Sequence, residues 1–479
     1  DKEMRKYRNI YIVLNLIFSL MLGACSDFLE ESSQDETIPT TTTDYSELLM
    51  MYMYKTSKYN YNVLYYLDND LKVNESKLPT GDYIWGPAAL IRTFTWQPDM
   101  WELENGASPD DGYEYTYTQI MGINAVLDGV GDAVGTQRDR DLIRAEALGL
   151  RAFGYFRIVN MFGEPYNYNK KALGVPLKLT AALVENGIAR STVEEVYNQI
   201  VADLEEASKL FAKHPKTRGN YRLNGTTVDI LLARAYLYME EYDKAITAAT
   251  QAIESAEGLS DYTKMSHGEK EFSLARYDLS EVEWLYGRTY IDPSLCPTGE
   301  LLTGFTAGDK RRDFWFPIDA TWVHKQLCPG ELGNNSGANT PGNAIRISEA
   351  YLTRAEARML STTNKDESGA LADLNELRRH RIVGYTDETS TTGLLEKIRQ
   401  ERRLELCYEF HRWFDLRRYG MPSISREFKQ RQQDQYRIYT LKEKDPMYTL
   451  PFPLDIVNKN IQLVQNASAK APEREGVLK

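Results

Sequence analysis

Residues 394–420, LLEKIRQERRLELCYEFHRWFDLRRYG, constrain the fold most, because they join a wide apolar arc to charges that cannot be left alone. At ~100° per residue, Leu395, Ile398, Leu406, Trp413 and Leu416 fall on one stripe, and Arg402 and Glu409 fall on it too. Cys407, Phe410 and Phe414 widen the arc beyond half the circumference. The pattern predicts one helix of about seven turns, buried against several neighbours. Arg402 and Glu409 then sit inside a core, where charge has to be paired. Glu405 is three residues from Arg402 and Arg412 three from Glu409, within helical pairing reach, so the four are expected to form a structural ion-pair network. A catalytic carboxylate pair is the sharper alternative.

A helix of this kind needs neighbours, and the chain supplies them. Residues 141–162 form a stripe with Ile143, Ala147, Leu150, Gly154, Phe156 and Ile158, with small residues that let a partner helix approach. Thr192 with Glu195 three residues on is a capping box, opening a helix that carries Val196, Ile200, Leu204, Ala207 and Leu210. In 227–255, Leu232, Ala233, Tyr236, Tyr242, Ala245, Ala249 and Ala252 match the spacing of a tetratricopeptide (TPR) helix pair, and 344–380 repeats it with a longer turn. With the last helix these give a mainly α array of about four pairs, stabilised by stacking. Residues 45–66 and 115–130 read as further helices. Residues 73–111 and 258–343 break the helical period with Gly, Pro and aromatics; the second is an insertion with a few short strands.

The N-terminus carries an address. Asp1, Lys2 and Glu3 precede the first methionine, Met4. Arg5, Lys6 and Arg8 lead into an apolar run over 10–22, too short to span a bilayer and of signal-peptide length. It ends Leu22-Gly23-Ala24-Cys25, which resembles a bacterial lipobox with Cys25 as the acylated residue. Residues 1–24 are thus expected to be a signal peptide and 25–44 a lipid tether. The remaining plan has N-terminal helices and an aromatic loop at 45–135, TPR-like pairs at 136–257, the insertion at 258–343, TPR-like and signature helices at 344–420, and a tail at 421–479, all in one domain over 25–479. The net charge is −12, and −14 without residues 1–24, which argues against nucleic acid and against electrostatic docking to membranes. Cys296 and Cys328 share one loop-rich region and could pair; Cys407 reads as a packing thiol.

No active-site constellation holds. Gly129, Gly131 and Gly135 miss dinucleotide-loop spacing by one place, and His214, His267, His324, His380 and His411 are scattered singly. No catalytic residue, metal or cofactor is assigned. What stands out is the placing of tryptophan. Trp85, Trp96 and Trp101 lie in one irregular region and Trp284, Trp315 and Trp322 in the other, with Asp68, Asn69, Asp70 and Arg92 as polar neighbours. Flat rings on loops held by a scaffold can stack on sugar faces or cover a peptide, so these ten residues are the ligand-binding candidates. The rival reading is that the rings fill small cores under long loops.

Residues 401–406, then Glu409, Arg412, Trp413, 415–418 and Gly420, resemble the C-terminal signature of the SusD/RagB family, with Phe410 where that signature carries Gly. The blocks 151–156 with 162–165, and 448–453 with 458–466, are similar to further family segments. The resemblance implies a SusD-like fold and a lipid-anchored, surface-exposed outer-membrane protein. It also implies a ligand site built by the two aromatic regions, and a role as lid on a SusC-like TonB-dependent transporter. An oligosaccharide or a peptide would be the ligand. A surface glycosidase or peptidase, or a TPR assembly scaffold, are the rivals from other classes.

Overall fold

The structure is a computed structural model that describes residues 38–54, 63–81, 91–102, 112–215, 219, 221–265, 277–287, 294–316 and 343–479. The chain forms two compact units, Asp1–Thr40 and Thr41–Lys479, and everything below concerns the second. The proposed signal peptide, Cys25, Trp85, Trp322 and Cys328 lie outside the described residues.

Helices dominate. α1 (Thr42–Met53) opens on a capping box between Thr41 and Asp44. It is followed by α2 (Tyr113–Gly129), α3 (Gln137–Phe162), α4 (Val193–Lys213), α5 (Gly225–Tyr238), α6 (Tyr242–Ser255), α7 (Ile347–Leu360) and α8 (Glu367–Arg379). The Thr192–Glu195 capping box that opens α4 is present in full. Each of these helices packs on the next along the chain, and α9 (Leu394–Glu405) packs on α7. The array is therefore three hairpins, α3/α4, α5/α6 and α7/α8, extended by α1 and α2 at one end and α9 at the other.

Small residues fill the crossings: Ala145, Ala147 and Ala152 of α3, Ala233 and Ala235 of α5, and Ala245, Ala249 and Ala252 of α6 are all buried. At Gly149 a Cβ would meet a Leu223 methyl at 2.8 Å, so the close approach there depends on glycine. One apolar cluster runs through most of the molecule, with two small satellites under α7, α8 and α9.

Short strands tie the irregular regions down. β1 (Leu71–Val73) pairs antiparallel with β3 (Leu295–Pro297), Lys72 facing Cys296. β2 (Val282–Tyr286) pairs with β4 (Asn343–Arg346), which runs directly into α7. β5 (Ile424–Phe428), β6 (Arg437–Leu441) and β7 (Val477–Leu478) form a tail sheet in that spatial order. The insertion thus supplies strands to partners outside itself.

The 394–420 stretch is not one helix. α9 ends at Glu405, and α10 (Arg412–Arg418) begins after a turn over 406–411. Within that turn Tyr408 has φ 58° and Phe410 φ 66°. These left-handed conformations are costly for residues with a Cβ. Packing compensates: Phe410 stacks on Tyr65 with centroids 4.6 Å apart, and the Tyr65 hydroxyl donates to the Tyr408 carbonyl at 2.8 Å. Phe410 is also the signature's glycine position, and its positive φ is the physical reason a glycine suits it.

Candidate functional site

The turn exists because its charges are claimed from outside the helix. Arg346, at the β4–α7 junction, is fully buried and is the hub. Its Nη1 contacts Glu281 Oε1 at 3.0 Å and Glu405 Oε1 at 2.5 Å, and its Nη2 contacts Glu409 Oε1 at 2.5 Å. Arg381 bridges Glu281 and Glu405 at 2.7 and 2.9 Å. Arg311 reaches Asp309, Glu401 and Glu405 at 2.7, 2.7 and 3.0 Å. Burial alone would raise the Glu405 carboxyl, but the Arg381 and Arg346 guanidiniums overcome it and hold Glu405 well below the carboxylate range. Glu281 is lowered for the same reason.

Of the four signature residues, Glu405 and Glu409 sit in this network through Arg346, while Arg402 and Arg412 bond partners outside it, in place of the expected i,i+3 pairs. Arg402 bonds Asp415 at 2.9 Å and Thr353 at 3.3 Å instead of Glu405. Arg412 donates to Asn69 Oδ1 at 2.9 Å instead of pairing with Glu409. Glu281, Arg311, Arg346 and Arg381 carried no signal in sequence: each lies in an irregular stretch or at a helix end, far along the chain from most of its partners, and only the fold brings them together.

The same turn grips the polar candidates. Arg403 holds Asp70 Oδ1 at 2.8 Å, the Tyr408 hydroxyl donates to the Asp70 carbonyl at 2.9 Å, and Thr298 N–H donates to that carbonyl at 2.9 Å. Asp70 is fully buried and Asp68 nearly so. Burial and the neighbouring Asp70 charge push the Asp68 carboxyl up. Arg92 is ion-paired with Asp99. The β1–β3 pairing does bring the two aromatic regions side by side, but Asp68 and Asp70 sit inside the joint and do not offer their carboxylates to a ligand.

Four of the six candidate tryptophans are described, and all four are buried. Trp96 donates its indole N–H to the Leu67 carbonyl at 2.8 Å. The Arg426 guanidinium lies 4.1 Å from the ring centroids of both Trp96 and Phe94, and bonds the carbonyls of Tyr66, Leu67 and Asp68. Trp284 stacks on Tyr286 at 4.9 Å, and Trp315 meets Tyr262 edge-on at 6.2 Å. These three rings are core residues, a correction to their reading as ligand platforms. Exposure of a tryptophan on a loop depends on what packs over it, which no local pattern encodes.

Trp101 differs. Its N–H donates to the Pro451 carbonyl at 2.7 Å, and it borders a cleft of about 780 Å³ with Phe452, Leu454, Glu102 and Glu473. This cleft lies between the first aromatic region and the tail. Among the described residues no group of three His, Cys, Asp or Glu is placed to hold a metal ion. Nor is any helix there long and apolar enough to cross a membrane.

A stacked array of helical hairpins, carrying strand-tied aromatic regions and a charged signature turn, defines the class of protein. Residues 320–468 match the model of the SusD family, and residues 27–237 match that of a family described as starch-binding and associating with the outer membrane. The chain belongs to the SusD/RagB family. SusD-like protein P2 of Formosa agariphila is 22% identical over 387 residues, covering 66% of this chain and 74% of that protein. A SusD superfamily protein from Bacteroides thetaiotaomicron superposes with a TM-score of 0.70 at 23% identity, over 89% of this chain and 100% of that one. A SusD-like carbohydrate binding protein from Bacteroides vulgatus superposes with a TM-score of 0.64 at 19% identity, over 88% and 97%.

Proposed function

We propose that this chain is a cell-surface lipoprotein, anchored through Cys25, that binds an oligomeric nutrient and passes it to a SusC-like TonB-dependent transporter. A glycan is the preferred ligand. The observation that supports this is the pair of family matches, one of them described as starch-binding and associating with the outer membrane. Capture is by stacking and hydrogen bonding, with no bond chemistry. Because Trp96, Trp284 and Trp315 are enclosed, the stacking falls to Trp85 and Trp322, with Trp101 at the edge of its cleft as a third contact.

Titration calorimetry of the soluble chain against glycan and peptide panels tests this. Trp85→Ala and Trp322→Ala should each weaken glycan binding on the order of tenfold or more, as expected for a buried aromatic anchor, without lowering the melting temperature. Trp96→Ala should do the reverse. Glycan binding unchanged in both Trp85→Ala and Trp322→Ala would remove the site assignment. Turnover of a bound glycan, abolished by one carboxylate substitution, would replace capture by catalysis.

A further inference from the structure

A cavity of about 290 Å³ lies between α4, α5 and α6. Asp229 of α5 lines it and is only 4% exposed. One Asp229 oxygen accepts the Ser208 hydroxyl at 2.7 Å, and the other has no partner among the described residues. No Lys, Arg or His is among the cavity's described lining residues. A carboxylate withdrawn from water without a counter-charge is costly, and such groups are normally paired. Burial accordingly pushes Asp229 up to about 6, against the Ser208 hydroxyl, which leaves it ionised and without a cation at neutral pH.

The cavity also holds an opposite electrostatic feature. α5 begins at Gly225, and the Asn224 side chain accepts the Thr227 N–H at 3.0 Å. The N–H groups of Gly225 and Thr226, one turn before Asp229, bond no described residue and carry the positive end of the helix. Residues 225, 226 and 229 lie three and four apart on one helix face and line the same cavity. At Gly225 a Cβ would lie 3.1 Å from Phe211 Cβ, so α5 starts close against α4 at the edge of the cavity. At roughly 30 Å³ per water, the volume is too large for a bare ion and suits a molecule of several heavy atoms.

We propose that this cavity binds a small zwitterion, a free α-amino acid, with its ammonium on Asp229 and Ser208 and its carboxylate on the N–H groups of Gly225 and Thr226. A positive or negative group alone would meet one end of the site with the wrong charge. Phe211 supplies an apolar wall for the side chain.

The experiment is calorimetry on the intact chain with glycine, L-alanine and L-serine, against ethylamine, acetate and N-acetylglycine as half-charged controls. The amino acids should bind and the controls should not. Asp229→Asn, which is isosteric, should weaken amino-acid binding on the order of tenfold or more. Binding by wild type should fade as pH drops through 6. An absence of binding at millimolar amino acid, equal binding of ethylamine, or unchanged affinity in a folded Asp229→Asn chain would each overturn the proposal. Glycan titration of the same variant is expected to be unchanged, which separates failure here from failure of the nutrient-binding reading.

Discussion

Phe410 carries two opposed effects in one residue. Its φ of 66° costs about 1–2 kcal/mol relative to glycine, while its ring is buried against Tyr65 and beneath the Arg157 guanidinium, 5.0 Å from the centroid. Removing a buried phenylalanine ring costs about 3–5 kcal/mol, so the ring wins. Phe410→Ala keeps the strained backbone and loses the ring. Phe410→Gly loses the ring and the strain together. Both should destabilise, and urea midpoints should place the glycine variant about 1 kcal/mol above the alanine variant. The reverse order would mean that the turn is not held against its own preference.

At the scale of elements, the α9–turn–α10 unit is where sequence reading both succeeded and stopped. The stripe of Ile398, Trp413 and Leu416 is buried as expected, and so are Arg402 and Glu409. The break between the helices was not legible, because Tyr408 and Phe410 have no local preference for the left-handed region; the contacts that hold them come from Tyr65 and Asp70, some 340 residues away. The α5/α6 hairpin was legible because its alanines recur at crossing positions, a strictly local pattern. The tryptophans were not, because Trp96 is enclosed by Arg426, some 330 residues away, and by its bond to the Leu67 carbonyl. Arg402→Ala and Glu409→Ala each remove one member of a buried, hydrogen-bonded charge set, which should cost about 3–5 kcal/mol. Melting temperature and soluble yield should fall sharply, while the folded fraction keeps its nutrient affinity. A stable, folded variant that no longer binds would move the signature turn into the ligand site.

For the whole molecule, buried carboxylates of two kinds set the pH range of stability. Glu281, Glu356, Glu405 and Asp415 are lowered by neighbouring arginines that outweigh burial. Their contribution is fully present above the unfolded pKa, about 4, and is lost as pH falls through their folded values. Asp229 is raised, so its contribution is complete below about 4 and is lost as pH rises through about 6. Thermal melts should therefore fall steeply in acid, and Asp229 should add a gentler decline between about pH 4 and 6. Asp229→Asn should remove its own share of the upper slope and raise stability at pH 7 by about 2 kcal/mol, while leaving the acid limb and the share of Asp68, which burial also raises, in place. An upper slope unchanged in Asp229→Asn would assign it to another group.

The pairing of β1 with β3, and the hold of Arg403, Arg412 and Arg426 on residues 66–70, has a consequence for the order in which the protein can be made. A chain leaving the ribosome N-terminus first has residues 63–73 free long before residues 295–297 and 403–426 exist. Helical hairpins such as α3/α4 can close on themselves as they emerge, since their contacts are near in sequence. Residues 63–73, with Val63, Leu64, Tyr65, Tyr66 and Leu67 all destined for the interior, cannot. They must stay uncovered until most of the chain has been synthesised, so a product released early has its hairpins but leaves a sticky, unsealed end for proteases and chaperones to find.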